Sequence, residues 1–156
     1  MSRVPFAEMS CSIARALDVV GERWTLLVVR EAFGGTRRFE DFLERLPIAR
    51  NVLAERLATL VAHGVLERRP YHERPERYEY GLTERGMDLY PVLIALMHWG
   101  EEHTPPGLRP STRIVHGDCG HGVRAAIECL ACERLVSPGE TRGLPGFALA
   151  TARVEP

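Results

Sequence analysis

The feature that most constrains this chain is a patterned segment, about Ala49 to His63, that ends at Gly64 and runs directly into β-prone sequence. Leu53, Leu57 and Leu60 recur in it at helical spacing, so they define one apolar face that must be buried. The opposite face is small or polar: Asn51, Glu55, Ala58 and Ala62. The segment is therefore predicted to be a helix that packs on one side only.

Two short β-prone segments follow, Val65–Tyr71 and Tyr78–Leu82, and the polar loop His72–Arg77 joins them. This pattern predicts a two-stranded hairpin. Between Arg68 and Arg77 there are four arginines and two glutamates, whereas the net charge of the whole chain is −1. The hairpin is thus a local cationic patch on a nearly neutral protein.

Three further helices are predicted before the hairpin and one after it. The first three span about Ser12–Val20, Glu22–Phe33 and Phe39–Leu46, and Thr83 should cap a helix that continues to about His103. Pro91 is expected to kink or restart that last helix. Helices followed by an arginine-bearing hairpin are the order of a winged helix-turn-helix, so the predicted fold class is α+β.

Length and composition limit the organisation of the chain. With 156 residues, 45% of them hydrophobic and 26% charged, it can form one globular core with an appendage. We predict a winged domain at residues 1–103, a Pro/Gly linker at 104–112 and a small β-rich tail at 113–156. No apolar run is long enough to span a bilayer, and Met1 to Met9 lack the regions of a signal peptide, so we expect a cytoplasmic protein with no membrane partner.

Candidate DNA contacts follow from the predicted outer face and the hairpin. Asn51 can pair with adenine, and Glu55 can accept a hydrogen bond from cytosine N4, although an intrahelical ion pair fits Glu55 equally well. All 20 basic residues are arginine, which suits bidentate phosphate contacts but also fits nucleotide bias in the genome. The candidates for phosphate contact are Arg37, Arg38, Arg50, Arg56, Arg68, Arg69, Arg74 and Arg77.

Several segments together resemble the HxlR-type regulators. They are Cys11, Ile13–Thr25, Arg38-Phe39, Asn51–Leu57 and Arg74–Gly86. Each fragment alone is weakly specific, but their order and spacing over about residues 11–103 make the combination specific. The resemblance implies a winged-helix homodimer, paired through its N-terminal and C-terminal helices, that binds near-palindromic operators in double-stranded DNA.

The resemblance also implies a role for Cys11, because in several members of the family the corresponding cysteine senses oxidants or electrophiles. A thiol just before a helix start is in a setting that favours reactivity, whereas a small hydrophobe at a dimer interface is the alternative. This sequence departs from the family at two positions, with Ser12 in place of the common proline and Ala49 in place of a serine cap. Loss of a serine cap typically costs about 1 kcal/mol.

The tail has two closely spaced pairs of metal-ligand residues, His116 with Cys119 and Cys129 with Cys132. This spacing predicts a structural zinc site of one histidine and three cysteines on a hairpin. His121 is an alternative nitrogen ligand. A metal-free hairpin with packed or oxidised thiols is the competing interpretation.

Enzyme motifs are absent from the sequence, which has no phosphate-binding glycine loop, no His-Glu-x-x-His and no nucleophile elbow. The predicted function is therefore a sequence-specific DNA-binding regulator. Two alternatives stay open: a winged helix that binds only proteins, and a Cys-x-x-Cys thiol redox protein, which Cys129 and Cys132 would serve without the usual βαβ context.

Overall fold

The computed structural model describes residues 9–105 and 114–141. Its helices are α1 (Ser12–Val20), α2 (Thr25–Phe33), α3 (Phe39–Arg45), α4 (Arg50–Ala62), α5 (Glu84–Met87) and α6 (Tyr90–His103), and its strands are β1 (Leu66–Glu73) and β2 (Glu76–Leu82). The strands form one antiparallel pair. The α+β winged arrangement predicted from the sequence is confirmed.

The chain divides into two compact units between Leu93 and Ile94, within α6. The sequence placed the boundary later, at residue 103. Most of the predicted linker at 104–112 and the segment after residue 141 lie outside the described residues. No helix in the described ranges is long and apolar enough to cross a membrane.

The core of the first unit is built from α2, α3, α4 and the start of the hairpin. Leu53, Leu57 and Leu60 on α4 are buried, as their spacing predicted. They pack with residues of the neighbouring elements: Val28, Val29, Ala32, Phe42, Leu46, Ile48, Val65 and Leu66. Burial of each large side chain contributes about 1.5–3 kcal/mol, so this cluster holds the helices in place.

Glycines in left-handed conformation end α2 and α4. Gly64, at φ 67°, lets the Val65 N–H bond to the Leu60 carbonyl at 2.9 Å while its own N–H bonds to Val61 at 3.0 Å. Gly35, at φ 88°, ends α2 with the same pair of bonds. This is the Schellman motif, which satisfies the last carbonyls and turns the chain sharply. Gly64 thereby directs the chain from α4 into β1.

The start of α2 differs from the prediction. The helix was expected from Glu22, but Trp24 adopts φ 78° and the helix begins at Thr25. The Thr25 N–H bonds to the Glu22 carbonyl, so residues 22–24 form a turn. Partly buried Trp24 packs against the core from this turn. Helical propensity alone does not show this tertiary contact.

The helix after the hairpin is broken, as Pro91 suggested. Thr83 caps α5 by accepting the Gly86 N–H at 3.1 Å. A new helix, α6, begins at Tyr90 with Pro91 in its first turn, where the backbone N–H that proline lacks would have no partner within the helix. The Thr83 hydroxyl also donates to the Gly64 carbonyl at 2.6 Å. This one side chain thus ties α5 to the end of α4.

Within the tail, the described residues form two tight turns in place of the single hairpin expected. One turn is closed by the Val115–Gly122 bridge and the other by the Glu128–Leu135 bridge. A single 3₁₀ turn, Pro138–Glu140, follows. The predicted β-rich character is therefore limited to isolated bridges in this part of the chain.

Substitution of Gly86 should destabilise the winged unit. A Cβ at Gly86 would lie 2.2 Å from the Val65 carbonyl oxygen, which is backbone and cannot rotate away. We expect Gly86→Ala to lower the free energy of unfolding by about 1–3 kcal/mol, measured by urea denaturation. Gly117→Ala is the matched control, because a Cβ there meets nothing within 4 Å. Equal stability of the two variants would contradict the close packing of α5 on Val65.

Candidate nucleic-acid interface

The outer face of α4 is exposed and nearly free of bulky side chains. Asn51, Glu55, Ala58 and Ala62 are all exposed, as predicted, and Ala54 joins them. Ala49 precedes the helix in an extended conformation and makes no side-chain capping bond. The face can therefore approach another surface closely, with Asn51 and Glu55 as its polar groups.

Arg56 does not lie where its sequence position suggested. Its side chain was expected to reach sideways to phosphate, but only 10% of it is exposed. One terminal nitrogen lies 2.6 Å from Glu55 Oε1 and the other 3.7 Å from Glu22 Oε2. Its Nε, by contrast, has no hydrogen-bond partner among the described residues. Arg56 thus bridges α4 to the turn before α2, and Glu55 has the neighbouring ion pair.

Arg50 and Glu40 join the two helices of the helix-turn-helix. Both terminal nitrogens of Arg50 donate to the Glu40 carboxylate at 2.8 Å, and the guanidinium also lies 5.3 Å from the Phe39 ring centroid. The hydrogen bonds from Arg50 hold the pKa of Glu40 below its usual value, and the charge of Arg77 acts in the same direction. The same pair raises the pKa of Arg50. Glu40 is therefore a point at which α3, α4 and the hairpin interact electrostatically.

Tyrosine rings of the hairpin stack on two arginines, one in β1 and one just before α3. The Arg68 guanidinium lies 3.7 Å from the centroid of Tyr78, and that of Arg38 lies 4.6 Å from the centroid of Tyr71. Such stacking orients a guanidinium while leaving its edge donors free. Tyr80 is half buried, and burial raises the pKa of its hydroxyl. The Arg38–Tyr71 contact joins residues 33 positions apart, so no local pattern in the sequence indicates it.

The segment before α3 is also part of the hairpin surface. The Tyr80 N–H donates to the Arg37 carbonyl at 2.8 Å, and Arg38 forms a bridge with Glu79. Arg37 and Arg69 line a cleft of about 230 Å³ on this surface, where Arg69 pairs with Glu67 at 2.6 Å. The structure thus brings together arginines that are 32 positions apart.

Five candidate arginines lack an ion pair with a carboxylate in residues 9–105 and 114–141, and two of them, Arg38 and Arg68, are stacked on tyrosine rings. The other three, Arg37, Arg74 and Arg77, are exposed, and no acidic oxygen among those residues lies within 4.0 Å of them. Arg74 lies at the hairpin tip, between β1 and β2. These three side chains have the charge most available to an anion.

Cys11 lies immediately before α1. It is partly exposed, its carbonyl accepts the Arg15 N–H at 3.1 Å, and its thiol makes no capping bond. The exposed apolar residues of α1 are Ile13 and Leu17. The cysteine is therefore next to an apolar helix face that the described residues leave uncovered.

The tail holds its ligand-type side chains in two pairs. His116 Nδ1 lies 3.3 Å from Cys119 Sγ. The backbone N–H groups of Ala131 and Cys132, followed by the Cys132 side chain, hold the pKa of Cys129 below its ordinary value. Within the described residues, no three histidine, cysteine or acidic side chains converge on one point as a metal site. All four cysteines are free.

Comparison with known proteins gives a consistent result. A family model described as HxlR-like helix-turn-helix matches residues 19–107. An uncharacterised HTH-type transcriptional regulator of Mycobacterium tuberculosis is 42% identical over 135 residues, which are 86% of this chain and 85% of the relative. This alignment is longer than the family segment, so that relative shares part of the sequence outside it.

Two solved structures extend the comparison. A candidate transcription factor, PA1607, is 36% identical with a TM-score of 0.81, and the match covers 91% of this chain and 99% of that one. The redox regulator HypR, in its reduced form, is 34% identical with a TM-score of 0.54, over 58% of this chain and 90% of that chain. The first match extends beyond residue 107, whereas the second covers little more than half of the chain.

Proposed function

Because the chain belongs to the HxlR-like helix-turn-helix family, whose named relatives are transcriptional regulators and not enzymes, we propose that it binds near-palindromic operator DNA as a homodimer. The observation that carries the proposal is the two-faced α4. Its leucine face is buried in the core, and its small polar face is exposed next to a hairpin with unpaired arginines.

Base recognition is assigned to the exposed face of α4. A helix fits the major groove only if its outward side chains are short enough for the backbone to approach base edges. Asn51 is placed in the first turn and can donate and accept at adenine N6 and N7. Glu55 contributes less, because it is already paired with Arg56 at 2.6 Å.

Phosphate binding is assigned to the hairpin and the segment before α3. Arg37, Arg74 and Arg77 supply charge without an intramolecular carboxylate partner in the described ranges, and the stacked Arg38 and Arg68 keep their edges free. A wing of this kind contacts the backbone beside the groove that the helix enters. Arg69 is a weaker contributor because Glu67 neutralises it, and buried Arg56 is not part of the proposed contact set.

Arg50 has a mixed role in this proposal. Two of its donors are held by Glu40, which fixes α4 relative to α3. A guanidinium has five N–H donors, so the others can still contact phosphate. Arg50 is thus primarily a positioning residue for the recognition helix.

We expect DNA affinity to fall steeply with salt. If the dimer neutralises about 6–8 phosphates, the slope of log K against log salt should be about −5 to −7. Arg74→Ala should weaken binding to all sequences alike and reduce the steepness of the slope by about 2, because each dimer loses two phosphate contacts. Asn51→Ala should instead lose about 1–3 kcal/mol of discrimination at one base pair per half-site. Fluorescence anisotropy with operator and scrambled duplexes measures both effects.

Arg30→Ala is the charge-matched control for these variants. Arg30 lies on α2 and its guanidinium is held by Glu31 at 2.6 Å, outside the proposed interface. Its removal should leave the slope unchanged. A flat salt response of the unmodified protein would instead favour a winged helix that binds only proteins.

The dimer is proposed to form through α1 and α6. Ile13 and Leu17 on α1 and Leu96 and Trp99 on α6 are exposed, and Trp99 is 66% exposed. Large apolar side chains grouped on terminal helices are typical of a surface that a second copy covers. The resemblance to HxlR-type regulators implies the same two helices.

We expect the unmodified chain to sediment as a stable dimer at micromolar concentration. Trp99→Glu should shift it towards monomer, since a buried charge without a partner costs several kcal/mol. Met87→Glu is the control, because Met87 is similarly exposed but belongs to α5, which is not one of the two helices proposed to form the dimer. In the dimer bound to DNA, the two α4 helices should lie about 34 Å apart, or a multiple of that distance. A monomeric unmodified protein would contradict the proposal.

A redox response through Cys11 is a second proposal. The specific observation is a partly exposed thiol at the start of α1, adjacent to the proposed dimer face, in a chain similar to a redox regulator. Oxidation adds polar oxygen or a bulky adduct there and would change how two copies pack. A change in the packing of the two copies would change the distance and angle between their α4 helices.

Oxidant treatment should therefore alter DNA affinity in the unmodified protein but not in Cys11→Ser. The measurement is operator binding before and after exposure to peroxide or a thiol-reactive electrophile, followed by recovery with reductant. Ser12→Ala, which changes the neighbouring residue and keeps all four thiols, serves as the control and should respond like the unmodified protein. An equal oxidant response in Cys11→Ser would refute the assignment and direct attention to the tail thiols, as expected for a thiol redox protein.

A further inference from the structure

The tail contains two turns with the same pattern of backbone hydrogen bonds. In the first turn, the Gly120 N–H donates to the His116 carbonyl at 2.8 Å and the His116 N–H to the His121 carbonyl at 2.8 Å. In the second, the Glu133 N–H donates to the Cys129 carbonyl at 2.9 Å and the Cys129 N–H to the Arg134 carbonyl at 3.0 Å. Each hydrogen bond of the first turn recurs in the second when residue 116 is matched with residue 129.

The flanking geometry follows the same register. The residue before each turn bridges the residue that ends it, Val115 with Gly122 and Glu128 with Leu135. The residue after the second ligand position is left-handed in both turns, with φ 70° at Gly120 and φ 56° at Glu133. Left-handed backbone is uncommon for a glutamate, so its occurrence at the position equivalent to Gly120 indicates that the two turns share one backbone path.

Each turn presents its two ligand-type side chains together. His116 Nδ1 lies 3.3 Å from Cys119 Sγ, and Cys129 and Cys132 occupy the two equivalent positions of the second turn. His121, the alternative nitrogen ligand, lies at the end of the first turn and contributes its carbonyl to the turn itself. The 3.3 Å contact between the His116 ring and the Cys119 thiol therefore selects His116 as the histidine that accompanies Cys119.

The described tail has defined turns but no apolar core. No residue from 114 to 136 is buried, and its large apolar side chains are exposed, with Ile127 at 59% and Leu130 at 102%. A segment this small usually needs a metal or a disulfide to hold a fixed structure. The cysteines are free, so a disulfide does not supply that stabilisation.

We propose that the two turns together bind one structural zinc ion through His116, Cys119, Cys129 and Cys132. One histidine and three thiolates at x₂ spacing within each pair match a closed tetrahedral zinc site. The two pairs do not share a metal-sized site in the described coordinates. Residues 123–127 join them and span at most about 20 Å, so zinc binding need only bring two preformed turns together. None of these four ligands is among the residues proposed to contact DNA.

The first test is the zinc content of the full-length protein purified without chelator, measured by inductively coupled plasma mass spectrometry. One equivalent per chain is expected, and Cys129→Ser/Cys132→Ser should lose it. His116→Ala should weaken zinc binding, whereas His121→Ala and Cys11→Ser should keep the full equivalent. Half an equivalent per chain, no zinc, or zinc retained by the double variant would each overturn the proposal.

Replacement of zinc by Co²⁺ tests the ligand set spectroscopically. The proposal predicts the visible absorption of tetrahedral cobalt together with thiolate charge-transfer bands, and these bands should weaken in Cys119→Ser. An octahedral cobalt spectrum would contradict a closed site. The readout does not depend on DNA binding, so the zinc proposal and the proposed regulatory function can fail separately.

A backbone variant tests the turn geometry without removing a ligand. Gly120→Val places a β-branched side chain at φ 70° and should lower zinc affinity by about tenfold in competition with a chromophoric chelator. Gly117→Ala is the matched control in the same turn, because a Cβ there meets open space. Equal affinities of the two variants would show that the repeated turn is not part of the site.

Discussion

The winged unit depends on the burial of one face of α4. Three leucines enter the core, and each contributes about 1.5–3 kcal/mol, which exceeds the roughly 1 kcal/mol lost because Ala49 cannot cap the helix. Packing therefore fixes the helix despite its uncapped start. Since the leucines face inward, Asn51 and the alanines must face outward. The Schellman turn at Gly64 then aims the chain into β1, so the same helix sets the position of the wing.

Electrostatic interactions orient side chains on this fold but contribute little to its stability. The chain is almost neutral, and six arginines of the described residues form ion pairs with acids, as in the Arg50–Glu40 and Arg69–Glu67 pairs. The candidate interface groups five arginines without such partners on one surface, and tyrosine rings orient two of them. Exposed ion pairs contribute little to stability, so the pairs act mainly by fixing side-chain positions. Local arrangement, not net charge, is the basis for anion binding.

The sequence was sufficient for features that depend on local periodicity. The two faces of α4, the hairpin, the Thr83 cap and the restart near Pro91 follow from spacing and turn chemistry, and the structure agrees with each. The exposure of Arg56 was predicted wrongly because its partner Glu22 is distant in sequence, and periodicity carries no information on such a contact. The Arg50–Glu40 pair and the Arg37–Tyr80 bond were missed for the same reason. In the tail, ligand spacing was readable, but the repeat of the turn appears only in its hydrogen bonds.

The two parts of the chain are therefore stabilised by different means, and this separates the chemistry of their cysteines. The winged unit has a packed apolar core that does not include Cys11. The Cys11 thiol makes no capping bond and is partly exposed, so it is available to react. The described tail has no buried residue, and its three cysteines lie in turns whose backbone N–H groups favour thiolate at Cys129. A thiolate that coordinates zinc donates one of its three lone pairs to the ion, which lowers its nucleophilicity relative to a free thiolate. Zinc in the tail would thus leave Cys11 as the one uncoordinated thiol among the four cysteines.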